Sequence, residues 1–298
     1  MRKFEGVYAA LVTPLDSTLK VDENGLRYEV DFLLENGVHG LVPLGSVGEF
    51  PYITVEEKKR IIDIVVEENK GRVPVIICTS SMGTDEVILL SKYAKNSGAN
   101  GLMITLPLYY LLSDEDVFNH YYTISKAVDL PILLYDFPAL THLDMSLELI
   151  SRLASIENVV GIKVTASAEK TEEILKSVTR KDFSVFTGTS FLLLRVLEKG
   201  GAGVIDPLPC IAPGSVVSLY ESFKRGDLER AAQLQGELHK LIPVLAVSVQ
   251  PPSVKEAMRQ LGHPIQPYVK RPLPQITEAQ KEIVRQSLID MGLLKSKS

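Results

Sequence analysis

The stretch Ser97-Gly98-Ala99-Asn100-Gly101-Leu102-Met103-Ile104 decides the fold. Gly98 follows a charged segment and can end a helix in the left-handed conformation. Gly101 then lets the backbone turn tightly into an apolar run. The same junction recurs as Asn36-Gly37-Val38-His39-Gly40 before Leu41-Val42, and as Gly200-Gly201-Ala202-Gly203 before Val204-Ile205. One such junction fits any doubly wound α/β sheet. Three of them, spread along the chain, point to repeated βα units.

Working outward, short β-branched apolar runs occupy residues 7–12, 40–44, 73–78, 101–106, 131–135, 159–164, 183–186 and 203–205. Near-continuous apolar runs of this length suit strands buried on both faces of a parallel sheet. Between them lie charged segments with helical spacing, such as Leu26, Val30, Leu33 and Leu34. Another opens on the capping-box pattern Thr54-Val55-Glu56-Glu57 and runs into Ile61, Ile62 and Val65. Eight alternations favour a (β/α)8 TIM barrel over residues 1–225. After Gly226-Asp227 no strand-like run follows. Residues 227–247 and 253–262 read as helices, a third begins at Thr277, and residues 263–274 are proline-rich and extended or turning. Residues 226–298 are therefore expected to form a C-terminal helical appendage.

The chain has 298 residues, 45% of them hydrophobic, and a formal net charge of -5. A closed barrel routinely fills about 200–250 residues as one domain, so one large barrel with an appendage fits the length. Such a chain needs no disulfide or metal staple. Cys78 and Cys210, both in apolar surroundings, read as buried free thiols of a reducing compartment. No long basic run marks a nucleic-acid footprint. The opening Met1-Arg2-Lys3-Phe4-Glu5-Gly6 is basic, but the apolar run 7–12 is too short for a signal segment or a membrane span. The expectation is a cytoplasmic protein that meets small molecules.

In a barrel, chemistry sits at the carboxyl ends of the strands. These ends offer Ser46 and Glu49, Tyr109 and Tyr110, Tyr135 and Asp136, Lys163 and Thr165, and Gly188-Thr189-Ser190. Lys163 stands apart, because it follows Asn158-Val159-Val160-Gly161-Ile162 with no polar break. Burial disfavours the ammonium form of an amine, and a neutral amine can attack a ketone to form a Schiff base. The plainer alternative is a strand-end lysine reaching to solvent. Tyr135 is placed to shuttle protons if Ser46 relays them, and backbone N–H groups around Gly45 and Gly48 could hold a carboxylate. A buried aromatic with a satisfied hydroxyl is the plainer reading of Tyr109, Tyr110 or Tyr135 taken singly. Gly45-Ser46-Val47-Gly48 lacks the lysine of a phosphate-binding loop. The histidines (His39, His120, His142, His239 and His263) are scattered, so no metal site is expected. Cys210, in Pro207-Leu208-Pro209-Cys210, reads as an inert thiol.

Taken in order, these residues resemble the dihydrodipicolinate synthase / N-acetylneuraminate lyase family of Schiff-base 2-oxo-acid lyases. The resemblance begins at Gly6-Val7 and Thr13-Pro14 and passes through Gly45-Ser46-Val47-Gly48-Glu49, Pro107-Leu108-Tyr109-Tyr110 and Tyr135-Asp136-Phe137-Pro138. It continues at Gly161-Ile162-Lys163 and ends in Pro251-Pro252-Ser253-Val254-Lys255. It implies that Lys163 is the Schiff-base lysine and Tyr135 the proton shuttle, with Ser46 linking it to a second tyrosine. Tyr109 matches that second tyrosine, which in the family reaches in from a neighbouring subunit. A homotetramer built as a dimer of dimers is the corresponding assembly. No separate cofactor is implied, since the lysine itself forms the imine. Gly45, Val47, Gly48, Leu140, Thr165, Gly188, Ser190 and Ile205 are the substrate-binding positions that go with it.

Three departures shape the expected substrate. Val47 replaces a second hydroxyl, and Asp136 stands where asparagine is common. Leu140 stands where true dihydrodipicolinate synthases carry an arginine for the carboxylate of aspartate semialdehyde, and a leucine forms no bidentate ion pair. Pro138-Ala139-Leu140 and Lys163-Val164-Thr165-Ala166 lean toward the sialic-acid lyases. Yet Gly188-Thr189-Ser190-Phe191 lacks the acidic pair that those enzymes use on the sugar chain. The main expectation is reversible cleavage of a 2-keto-3-deoxy sugar acid to pyruvate and an aldehyde. The alternatives are dihydrodipicolinate synthase, a keto-deoxy-acid dehydratase, a non-catalytic 2-oxo-acid binder, and a phosphosugar isomerase suggested only by Gly188-Thr189.

Overall fold

A computed structural model describes residues 4–295. The strands are β1 (Gly6–Ala10), β2 (Gly40–Val42), β3 (Ile76–Cys78), β4 (Gly101–Thr105), β5 (Ile132–Asp136), β6 (Val159–Val164), β7 (Ser184–Thr187) and β8 (Gly203–Asp206). All neighbouring pairs in the order β2-β1-β8-β7-β6-β5-β4-β3 are parallel. A parallel bridge between Leu41 and Val75 joins the two ends. There the Leu41 N–H donates to the Pro74 carbonyl at 3.0 Å and the Cys78 N–H to Pro43 at 3.2 Å. The sheet is thus closed, and the fold is the (β/α)8 barrel expected from the spacing.

Helices alternate with the strands: α1 (Glu23–Glu35), α2 (Val55–Asn69), α3 (Thr84–Ser97), α4 (Asp114–Ala127), α5 (Pro138–Thr141), α6 (Leu147–Ala154), α7 (Ala168–Ser177), α8 (Leu193–Glu198) and α9 (Pro213–Lys224). The capping box at α2 is present, with Thr54 and Glu57 exchanging hydrogen bonds. Gly98 ends α3 in the left-handed region at φ 99°, as the junction pattern requires. The second glycine of a junction has a different reason to be glycine. A Cβ on Gly40 would overlap the Tyr8 ring, and one on Gly203 would overlap the Gly6 carbonyl. These residues let neighbouring barrel elements approach closely.

The remaining helices are α10 (Leu228–Leu238), α11 (Ile242–Ala246), α12 (Gln250–Gln260) and α13 (Glu278–Asp290). They differ from the sequence expectation in two places. The helix expected over 227–247 breaks into α10, a tight turn at His239–Leu241 and α11, which restarts with Pro243 in its first turn. The next helix starts earlier than expected, at Gln250, because Pro251 and Pro252 occupy its first turn. Proline is tolerated there, where backbone N–H groups have no intrahelical partner. Among the described residues, no helix is long and apolar enough to cross a membrane. Both cysteines are buried and free, whereas residues 1–3 of the basic opening lie outside the described residues.

Candidate active site

A narrow cavity of about 20 Å³ opens at the carboxyl ends of the strands. Ala10, Ser46, Val47, Tyr135, Phe137 and Lys163 line it, together with Thr165, Gly188, Pro207 and Gln250. Tyr135 and Lys163 are paired in register on β5 and β6, so both side chains leave the same face of the sheet. Lys163 is only 4% exposed, and its Nζ lies 4.2 Å from the centroid of the Tyr135 ring. The Tyr135 hydroxyl lies 3.2 Å from Ser46 Oγ. An amine, a phenol and an aliphatic hydroxyl therefore stand in a row on three elements distant in sequence.

Thr165 follows β6, and its buried Oγ1 has no hydrogen-bond partner. Gly188 makes room for it, since a Cβ there would overlap the Thr165 hydroxyl. An unpaired buried hydroxyl beside a lysine is costly unless something binds it.

The loop carrying Ser46 is held at both ends. Leu44 and Glu49 both have left-handed backbones, at φ 62° and 61°. Non-glycine residues in that region cost about 1–3 kcal/mol each and persist only where the surroundings dictate them. Those surroundings are explicit. Thr13 Oγ1 donates to the Gly48 carbonyl at 2.7 Å. The Glu49 carboxylate accepts from Lys255 Nζ at 2.5 Å and from the Lys270 backbone N–H at 2.7 Å. Lys255 also donates to the Tyr268 carbonyl at 2.7 Å. Both charged side chains are fully buried. The ion pair ties the Ser46 loop to α12.

Above the narrow cavity lies a wider chamber of about 520 Å³. Its walls include Phe50, Tyr52, Met82, Leu108, Leu140 and Val249. Among the described residues, no charged side chain lines it. Ser46, Phe137 and Gln250 belong to both spaces and form the throat between them.

The expected site residues separate as follows. Lys163, Tyr135, Ser46, Val47, Thr165 and Gly188 meet in the narrow cavity, and Leu140 lines the wider chamber. Gly45 and Gly48 shape the Ser46 loop without lining either space; a Cβ on Gly48 would crowd the Leu44 backbone at 3.0 Å. Ser190 is displaced from its expected place. Its N–H and Oγ both donate to Asp206, at 2.6 and 2.8 Å, in a buried contact beside the barrel. Burial pushes the Asp206 carboxyl up to about 6, with the Ser190 bonds opposing the shift. Ile205 is fully buried opposite Tyr8 and lines neither space, because it fills the barrel interior. Tyr109 is 85% exposed at φ 88°, packed edge-on against Tyr110, and does not line the cavity of its own chain. Asp136 alternates to the outside of β5, where Lys170 Nζ lies 2.6 Å from it. Burial raises its carboxyl and Lys170 opposes that shift. Among the described residues, no cluster of three or more metal-ligating side chains occurs.

Sequence reasoning missed Gln250 and the Glu49–Lys255 pair. Glu49 is legible as a strand-end acid and Lys255 as part of a motif, but nothing in either segment shows that they meet. Gln250 precedes Pro251-Pro252, ahead of the helix expected from residue 253, and nothing in that segment marks a cavity residue.

The Dihydrodipicolinate synthetase family profile matches residues 3–290. This chain belongs to that family. It is accordingly an enzyme of the lyase class, built on the family's barrel. The 4-hydroxy-tetrahydrodipicolinate synthase of Methanoculleus marisnigri is 38% identical over 293 residues, covering 97% of this chain and 100% of the relative. The enzyme of the same name from Methanopyrus kandleri is also 38% identical, covering 98% of each. Among solved structures, YagE from E. coli K12, a dihydrodipicolinic acid synthase family protein in complex with pyruvate, superposes with a TM-score of 0.95. It is 30% identical and covers 98% of this chain and 99% of its own. Dihydrodipicolinate synthase from Thermotoga maritima gives a TM-score of 0.94 at 31% identity, covering 98% and 100%.

Proposed function

We propose that this enzyme is a Schiff-base aldolase that cleaves a 2-keto-3-deoxy sugar acid reversibly to pyruvate and an aldehyde. The observation that carries this reading is the row of Lys163, Tyr135 and Ser46 in the narrow cavity. The Lys163 amine adds to the keto carbon, and the ketone oxygen leaves as water. The C3–C4 bond then breaks with its electron pair drawn toward the iminium, which becomes an enamine. The proton of the C4 hydroxyl leaves through Tyr135 toward Ser46. Protonation of the enamine and hydrolysis release pyruvate. The enzyme's own lysine supplies the imine, so no separate cofactor takes part.

The pyruvate bound in the related YagE supports the choice of 2-oxo acid. Leu140 and the uncharged walls of the wider chamber favour an aldehyde without a carboxylate. Tyr109, exposed on its own chain, fits a role in a partner's cavity within a homotetramer. A cytoplasmic setting suits the free buried thiols.

A second reading has its own support. The names of the Methanoculleus and Methanopyrus relatives favour 4-hydroxy-tetrahydrodipicolinate synthase, which condenses pyruvate with aspartate semialdehyde. Borohydride reduction with pyruvate should add a pyruvate-derived mass at Lys163, and an unmodified lysine in the folded protein refutes both readings. Assays for pyruvate release from 2-keto-3-deoxy acids, and for ring formation with aspartate semialdehyde, then separate them. Water loss without C–C cleavage would instead identify a dehydratase.

A further inference from the structure

The narrow cavity is built from barrel residues with one exception. Gln250, the first residue of α12, lines it from the C-terminal helices. It also lines the wider chamber, so with Ser46 and Phe137 it forms the throat that any substrate anchored on Lys163 must cross. Ser46 Oγ is engaged with the Tyr135 hydroxyl, and Phe137 offers no hydrogen-bonding group on its side chain. The Gln250 side-chain amide has no hydrogen-bond partner among the described residues, although its backbone carbonyl accepts from Ser253 Oγ at 3.1 Å. Its position is rigidly set. Five residues further along the same helix, Lys255 is locked to Glu49 at 2.5 Å, and Glu49 closes the Ser46 loop.

We propose that Gln250 is a specificity-determining residue that reads a hydroxyl group on C5 of the substrate. The inference rests on the Schiff-base reading, which places C2 at Lys163 and C4 beside Tyr135 and Ser46. The next carbon then lies in the throat. An amide both donates and accepts, so it pairs with a hydroxyl in either sense. Beyond the throat the walls are largely apolar and uncharged. The aldehyde partner is accordingly a short 2-hydroxyaldehyde with no ionised group.

The test uses the intact enzyme and two aldehydes of equal carbon number, 2-hydroxypropanal and propanal, each with pyruvate. The aldol product of 2-hydroxypropanal differs from that of propanal only by the C5 hydroxyl. In Gln250→Leu, the ratio of kcat/KM for 2-hydroxypropanal to that for propanal should fall about 10- to 100-fold, as expected when a hydrogen bond to substrate is lost. Equal falls for both aldehydes, or no fall for either, overturn the proposal. If the leucine variant does not fold, Gln250→Met keeps the length of the side chain and removes the amide donor and acceptor together. An unchanged ratio between the two aldehydes in that variant overturns the proposal as well. Failure of pyruvate to be trapped by the wild-type enzyme would refute the Schiff-base reading itself.

Discussion

The Ser46 hydroxyl lies 3.2 Å from the Tyr135 phenol although 89 residues separate them. Under the proposed mechanism this contact carries the proton. Tyr135→Phe should leave Lys163 trappable by borohydride with pyruvate and lower aldol turnover about 10²- to 10⁴-fold, the usual range for a lost acid–base group. Ser46→Ala should give a smaller loss with trapping intact. If Tyr135→Phe retains wild-type kcat, the phenol is not the proton carrier.

Leu140 on α5 gives a second test, at the wider chamber. Leu140→Arg introduces a guanidinium able to clamp a carboxylate in two-point fashion. It should raise kcat/KM for aspartate semialdehyde and lower it for uncharged aldehydes. Parallel assays of the two substrates check this; a variant that changes neither would separate Leu140 from aldehyde choice.

The Glu49–Lys255 pair predicts strong non-additivity. Lys255→Met leaves a buried carboxylate uncompensated and should cost about 3–5 kcal/mol in denaturant unfolding. Adding Glu49→Leu to that variant removes the stranded charge. The double variant should therefore be more stable than the sum of the two single losses implies. Simple additivity would show that the pair is not coupled.

Glu29 predicts a pH effect on stability. Its buried carboxyl accepts from the Val12 N–H at 3.0 Å, and burial pushes it up from 4.5 to about 8. Between those values the folded chain keeps a proton that the unfolded chain has released. The Glu29 contribution is thus complete below pH 4.5 and is lost as pH rises toward about 8. Glu29→Gln should flatten the fall in unfolding free energy over that window. Chemical denaturation at pH 5 and pH 8 reads the difference, and parallel pH profiles for variant and wild type would contradict it.

Much of this was legible in the chain. The glycine junctions and β-branched runs carry local information, so they locate all the strands to within a few residues. Lys163 is legible because a cation without polar neighbours is conspicuous. Other features depend on where distant segments meet. Ser190 looks like a strand-end ligand until the fold brings Asp206 against it. Gln250 lies ahead of the helix expected from residue 253 and carries no reading of its own until α12 is laid across the barrel mouth. Side-chain direction at a strand end also decides roles: Tyr135 and Asp136 are neighbours, yet one faces the lysine and the other faces α7.

The link between Glu49 and Lys255 spans 206 residues. During synthesis the loop bearing Ser46 emerges early, but the partner that fixes its shape leaves the ribosome only near the end. A barrel cut away before α12 would keep Lys163 and Tyr135 and lose both the brace on Ser46 and the throat residue Gln250. For the engineer, then, the C-terminal helices are not an interchangeable handle. Grafting them from a relative would transplant a piece of substrate choice along with them.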